Sequence, residues 1–194
     1  ASTDQSENIL KEEISKEGDI VLINMSRNFG FEECLYAGFA NSKGDVIIYL
    51  NSDLQDPPEI FPQLLDTYIE DGNVEVVYTT RKSRKGESWF KLYITKIGYR
   101  FIRYISNIDI PIDSGDFKLL SRKVVNLIIK HEESLPYIRG LISYYGFKQK
   151  QIFYDREQRF DGASNSKYPF LSRRMINNNL GRVLISFSDA PLKL

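Results

Sequence analysis

Residues 45–59 decide the fold, and they read Asp-Val-Ile-Ile-Tyr-Leu-Asn-Ser-Asp-Leu-Gln-Asp-Pro-Pro-Glu. The apolar run at 45–49 has the length and β-branched content of a buried strand. Polar side chains follow it directly, and open α/β sheets place their ligand chemistry at the exit of such a strand. Asp53, Gln55 and Asp56 offer oxygen ligands, which suit Mg²⁺ or Mn²⁺ better than zinc. The same residues also fit an ordinary acidic turn, since Asn, Ser, Asp and Pro are common turn formers.

Helix and strand patterns alternate on both sides of this stretch. The pattern predicts strands at 19–24, 45–50, 74–78 and 147–154, and helices at about 4–17, 31–43, 58–72, 88–106, 122–130 and 137–145. Strands separated by helices of this length imply right-handed crossovers and a largely parallel sheet. The predicted fold class is therefore α/β, with a mostly parallel, Rossmann-like sheet flanked by helices.

The composition is that of a globular protein, and 194 residues are enough to bury a core. Cys34 is the only cysteine, which excludes a disulfide framework and a cysteine-based zinc site; we expect it to be a buried helix residue in a reducing compartment. His131 is also alone, so histidine metal clusters and Ser-His-Asp chemistry lack parts. No stretch approaches the roughly 18 apolar residues of a membrane span.

The net charge of zero conceals a sharp asymmetry between the two parts of the sequence. Residues 1–80 contain 4 Lys and Arg against 16 Asp and Glu, whereas residues 81–194 contain 22 against 10. A basic second half suits phosphates or an anionic membrane surface. It also suits simple neutralisation of the acidic half. The basic residues are scattered and match no nucleic-acid-binding motif, so nucleic acid is not an expected partner.

Five short segments occur in an order that resembles one family. They are Ser-Arg-Asn-Phe-Gly at 26–30, Ser-Asp-Leu-Gln-Asp-Pro-Pro-Glu at 52–59, Arg-Lys-Gly-Glu-Ser at 84–88, Asp-Ser-Gly-Asp-Phe at 113–117 and Ser-Lys-Tyr at 166–168. Together they resemble bacterial family 2 glycosyltransferases of the polyprenyl-phosphate type, relatives of dolichol-phosphate mannosyltransferase. The resemblance implies a GT-A fold and inverting transfer of a sugar from a nucleotide-sugar, with uridine as the expected base, to an isoprenoid phosphate.

The resemblance also implies roles for individual residues. Asp53 would hold Mg²⁺ or Mn²⁺ near the leaving diphosphate, where the ion acts as a Lewis acid and a template. Asp116 would lie beside the acceptor, and we favour a positioning and electrostatic role because an acceptor phosphate is already ionised at neutral pH. Asp113 and Asp116 could instead only stabilise their turn. The remaining substrate-binding candidates are Asn51, Gln55, Arg81, Arg84, Arg139, Arg159 and Lys167.

The sequence departs from the family pattern at three places. Asn51 stands where the family usually has the first Asp of an Asp-x-Asp signature, so we expect weaker metal binding. The loop between Gly162 and Tyr168 is two residues longer than usual. The family's first strands and its C-terminal membrane helices have no counterpart, and we expect the GT-A sheet to be N-terminally incomplete.

The predicted organisation is a GT-A catalytic domain at 1–155 and an acceptor-side loop with a juxtamembrane amphipathic segment at 156–194. The expected partners are a nucleotide-sugar donor, a polyprenyl-phosphate acceptor and a membrane surface, at the cytoplasmic face of the cell membrane. The resemblance also admits a homo-oligomer. Two alternatives remain open: a soluble family 2 transferase acting on a polysaccharide, and a degenerate, non-catalytic module of the same fold.

Overall fold

The computed structural model describes residues 4–81, 115–131, 136–155 and 186–187. The chain divides into two compact units, residues 1–43 and 44–194. The predicted helix at 88–106 and the predicted boundary near residue 155 depend on residues outside the described ranges. Within those ranges, no helix is both long and apolar enough to cross a membrane.

The first unit contains two helices, α1 (Ser6–Lys16) and α2 (Phe31–Asn41). The strand predicted at 19–24 is wrong, because this segment has no regular structure and Val21 is 73% exposed. An apolar run becomes a strand only when a neighbouring strand pairs with its backbone, and the described part of this unit contains none. Cys34 does lie in α2, but it is exposed rather than buried.

Among the described residues, the second unit contains a four-stranded sheet of order β1-β3-β2-β4. Its strands are β1 (Val46–Tyr49), β2 (Val76–Arg81), β3 (Lys118–Ser121) and β4 (Gln149–Tyr154). The pair β2–β4 is parallel, while β3 runs antiparallel to both β1 and β2. The predicted α/β class is confirmed, and three strands share one direction as expected. The reversed strand β3 makes the sheet mixed, which the alternating pattern of the first 80 residues did not indicate.

Helices connect and flank these strands. A short 3₁₀ turn (Pro58–Ile60) leads into α3 (Phe61–Glu70), followed later by α4 (Arg122–Lys130) and α5 (Ile138–Tyr144). The start of α4 is fixed by Ser121, whose hydroxyl accepts a hydrogen bond from the Val124 N–H at 3.3 Å. The helix α3 packs on β2 and β3, and α4 contacts β1 and β3. The core under α3 consists of Leu64, Val74, Val77, Phe117, Leu119, Ile152 and Tyr154.

Candidate active site

The strand register brings four chain segments to one edge of the sheet. Tyr49, the last residue of β1, lies opposite Lys118, the first residue of β3. Lys118 also lies opposite Tyr78 of β2. Arg81 and Tyr154, the last residues of β2 and β4, lie opposite each other. The segments that follow β1, β2 and β4 therefore emerge at the same edge as the segment that precedes β3.

The loop after β1 has a strained backbone at its centre. Leu54 has a φ of 58°, and it is the only non-glycine residue with positive φ among those the structure describes. Left-handed backbone is unfavourable for a bulky side chain, and such strain concentrates at functional sites. Beside it, the Asp53 carboxylate accepts a hydrogen bond from the Gln55 N–H at 3.2 Å. This local turn orients the half-buried Asp53 side chain, the predicted metal ligand.

Asp56 anchors the same loop to β4. This side chain is 3% exposed, and its carboxylate accepts a hydrogen bond from the hydroxyl of Tyr154, which is 2% exposed. Asp56 was one of three oxygen donors that the sequence suggested for an ion, but its burial gives it a structural position in the floor of the site. The donors that remain in the loop are those of Asp53, Gln55 and Asn51.

The segment before β3 is fixed by hydrogen bonds to Thr79 of β2. The Gly115 N–H donates to the Thr79 carbonyl at 2.9 Å, and the Thr79 N–H donates to the Phe117 carbonyl at 3.2 Å. The buried Thr79 hydroxyl also donates to the Phe117 carbonyl, at 2.9 Å. A Cβ atom on Gly115 would lie 3.2 Å from two Thr79 oxygens, so this close approach favours glycine. Asp116 is thus carried on a rigid segment between two fixed neighbours.

Asp116 forms an ion pair with Arg139 of α5. The Asp116 and Arg139 side chains are 37% and 22% exposed, so the pair is partly shielded but still open to solvent. A guanidinium group that donates to a carboxylate fixes its orientation. Asp116 and Arg139 were predicted separately, as a catalytic candidate and a phosphate-binding candidate, and the structure places them in direct contact.

An aromatic cluster supports both sides of this edge. The Phe117 ring makes edge-to-face contacts with Phe61 of α3, at 5.9 Å between centroids, and with Tyr154, at 6.0 Å. Such contacts add to the stabilisation from burial alone. Because Phe117 follows Asp116 and Tyr154 holds Asp56, the cluster joins the two acidic segments through packed side chains.

The donor set fits a divalent ion that takes most of its ligands from a diphosphate and water. Asp53 supplies one carboxylate and Asn51 a neutral carbonyl two residues away, and Mg²⁺ is commonly held by one or two carboxylates plus substrate phosphates. No group of three or more Asp, Glu, His or Cys side chains within the described ranges could hold an ion by itself. An ion at this loop would therefore need ligands from a bound diphosphate and from water.

The other predicted residues are distributed as follows. Arg81 is half-buried at the end of β2, at the same edge as the loop. Arg84, Arg159 and Lys167 lie outside the described ranges, and their predicted roles stay predictions. Sequence reasoning missed Tyr154 and Thr79 as supports of the site. The alternating pattern at 147–154 placed Tyr154 at a strand end, but nothing in the sequence linked it to a loop 98 residues away.

Comparison with solved structures identifies the class of the fold. The chain matches glucosyl-3-phosphoglycerate synthase from Mycobacterium tuberculosis in complex with Mn²⁺, uridine-diphosphate-glucose and phosphoglyceric acid, with a TM-score of 0.51 and 16% identity over 94% of this chain and 66% of that one. The helix-flanked sheet is structurally similar to this GT-A enzyme, so the predicted fold is confirmed at this level. The chain therefore has a GT-A fold.

The family follows from the sequence comparisons. The model of glycosyl transferase family 2 matches residues 1–128, and the chain belongs to this family. It is 38% identical over 193 residues to YkcC, an uncharacterized glycosyltransferase of Bacillus subtilis (strain 168), covering 100% of this chain and 58% of the relative. It is 30% identical over 193 residues to a bactoprenol glucosyl transferase of Shigella phage SfX, covering 100% of this chain and 61% of the relative. The chain thus spans a little over half the length of these relatives.

Proposed function

We propose that this glycosyltransferase moves a sugar from a uridine-diphosphate-sugar to a polyprenyl phosphate, with inversion and with the help of a divalent ion, at the cytoplasmic face of a membrane. Relatives described as bactoprenol glucosyl transferases support the lipid acceptor. The complexes of the fold neighbour with Mn²⁺ and uridine diphosphate support the donor and the ion. The basic composition of residues 81–194 suits an anionic membrane surface.

The observation that carries the proposal is the placement of the Arg139–Asp116 pair at the same sheet edge as the Asp53 loop. In the reaction, an oxygen of the lipid phosphate attacks the anomeric carbon, and the bond from that carbon to the diphosphate oxygen breaks. The nucleoside diphosphate leaves with the electron pair of this bond. Since the attacking phosphate is already ionised, no proton has to be removed, and positioning is the main task of the protein.

Each residue then has a defined task. Asp53, with Asn51 and Gln55 beside it, would hold the ion, which neutralises the charge that develops on the leaving diphosphate. Arg81 offers two donors to phosphate oxygens at the end of β2. Asp116, oriented by Arg139, faces the reaction edge as a fixed negative charge that can stabilise positive charge developing on the sugar ring. Because its carboxylate is already engaged by a guanidinium group, we favour this electrostatic role over proton abstraction.

The test is transfer of labelled glucose from UDP-glucose to undecaprenyl phosphate, measured as label extracted into organic solvent. We expect transfer by the wild type with Mn²⁺ or Mg²⁺, and a loss on the order of a hundredfold in Asp53→Ala. Asp66→Ala, which removes an exposed carboxylate from α3, serves as the matched control and should keep full activity. Retained activity in Asp53→Ala would exclude the metal role. Transfer to an oligosaccharide but not to the lipid phosphate would favour the polysaccharide alternative.

A further inference from the structure

We infer that Tyr154 is a positioning residue for donor binding, which acts by clamping the Asp53–Asp56 loop in its strained conformation. The inference rests on the proposed function, because the loop is where the diphosphate and its ion would bind. Tyr154 itself lies in the floor of the site and contacts the loop through Asp56. It belongs to β4, so the clamp links two parts of the chain that are 98 residues apart.

Burial makes this hydrogen bond stronger than an exposed one. Tyr154 and Asp56 are 2% and 3% exposed, respectively. A hydrogen bond to a charged group is worth more than a neutral one, and a buried carboxylate that loses a partner is left with a desolvation penalty. The ring of Tyr154 is also held by its edge-to-face contact with Phe117. The Tyr154 hydroxyl therefore has a fixed position and can anchor the loop through Asp56.

The loop needs such an anchor because the backbone conformation of Leu54 is sterically unfavourable. A φ of 58° is sterically unfavourable for a leucine relative to ordinary backbone. Leu54 is 69% exposed, so little burial of its side chain repays that cost. On one side of Leu54, Asp53 accepts from the Gln55 N–H; on the other, Asp56 is tied to Tyr154. Loss of the buried hydrogen bond removes the contact between the loop and β4, and we expect the backbone at Leu54 to relax and to displace Asp53.

A positioning role and a merely structural role of Tyr154 predict different outcomes. If Tyr154 only stabilises the fold, its loss should lower stability and leave the loop as it was. If it holds the loop against strain, its loss should be compensated by any change that removes the strain itself. Glycine adopts left-handed backbone without a steric penalty, so Leu54→Gly is that change.

The experiment compares Tyr154→Phe, the double variant Tyr154→Phe/Leu54→Gly, and the control Tyr145→Phe in the purified full chain. Tyr145 also donates its hydroxyl, to the Leu127 carbonyl at 3.1 Å, but it lies in the turn after α5 and not in the site. The readouts are the affinity for UDP-glucose with Mn²⁺, by isothermal titration, and deuterium uptake of peptides that cover residues 50–57.

We expect Tyr154→Phe to weaken UDP-glucose binding about tenfold and to raise deuterium uptake in the loop. The double variant should regain binding to within about threefold of the wild type. Tyr145→Phe should match the wild type in both readouts. Equal behaviour of Tyr154→Phe and Tyr145→Phe, or no recovery in the double variant, would overturn the inference.

A replacement variant and a readout that does not depend on donor binding cover two possible failures of the experiment. Should Tyr154→Phe fail to fold, Asp56→Asn replaces it, because the amide keeps an acceptor oxygen for Tyr154 but loses the charge. A weakening of about threefold that Leu54→Gly reverses is then expected, and no weakening would overturn the inference. Should the wild type bind no UDP-glucose, the proposed function fails, while loop uptake in Tyr154→Phe still tests the clamp by itself.

Discussion

Replacing Arg139 by glutamine tests whether the ion pair with Asp116 organises catalysis. The variant removes the positive charge and the bidentate guanidinium donor, and keeps a shorter polar side chain. Asp116 would remain on its rigid segment, because the Gly115 and Phe117 hydrogen bonds to Thr79 do not involve Arg139. The expected result is therefore a misoriented carboxylate in an otherwise intact site.

The size of the effect follows from the exposure of the pair. The Arg139 and Asp116 side chains are 22% and 37% exposed, so the interaction is neither fully screened nor fully buried. A charge-assisted hydrogen bond of this kind is worth about 1–2 kcal/mol, between the values for exposed and buried pairs. If that energy acts in the transition state, turnover should fall about 5- to 30-fold.

The assay is steady-state glucosyl transfer to undecaprenyl phosphate, with kcat and the KM for UDP-glucose determined separately. We expect kcat to fall and the donor KM to change by less than about twofold, the pattern of an interaction made mainly in the transition state. Arg139→Lys keeps the positive charge but not the bidentate guanidinium geometry, and its kcat should lie between those of the wild type and Arg139→Gln. Arg122→Gln is the control, since Arg122 donates to the Gly44 carbonyl at 2.8 Å, away from Asp116. Equal turnover of Arg139→Gln and Arg122→Gln would refute the reasoning.

Three further predictions concern stability, metal binding and pH. Thr79→Val removes a buried hydroxyl that donates a hydrogen bond, and should lower the free energy of unfolding in urea by about 1–2 kcal/mol, more than Thr79→Ser. Asn51→Asp should tighten binding of Mn²⁺ with UDP-glucose in calorimetry, and an unchanged affinity would contradict the proposed ion site. Hydrogen bonding by Ser121 and then by Lys123 holds the pKa of Glu75 below its ordinary 4.5. Its stabilisation is complete above that pH and is lost as the pH falls through the lowered pKa, so Glu75→Gln should lose less stability on acidification than the wild type.

Local patterns in the sequence predict much of the second unit. The helix expected at 122–130 is α4, Arg122–Lys130, because a hydroxyl cap and an apolar face are both encoded within a few residues. The alternating strand at 147–154 is β4, whose Ile152 and Tyr154 are buried while Phe153 is 52% exposed. These elements are determined by neighbours in the chain, so their periodicity is enough to find them.

Features that depend on distant partners were not predictable in this way. The run at 19–24 has strand composition, but whether it pairs depends on another segment, and its composition does not encode that. From the sequence alone, Asp56 has the character of an exposed metal ligand. Its burial follows from the contact with Tyr154, whose position depends on the register of β2 and β4. The contact between Asp116 and Arg139 likewise joins two elements whose separate sequence signals give no distance.

The direction of β3 explains why the predicted site could form although the predicted sheet was largely parallel. Asp116 precedes its strand, whereas Asn51 and Asp53 follow β1 and Arg81 is the last residue of β2. In an all-parallel sheet, the residue before a four-residue strand would lie about 13 Å away, at the opposite edge. Because β3 is antiparallel to both of its neighbours, its start lies beside the ends of β1 and β2. A site that needs both kinds of residue therefore requires the reversed strand, which the helix–strand alternation of the sequence did not predict.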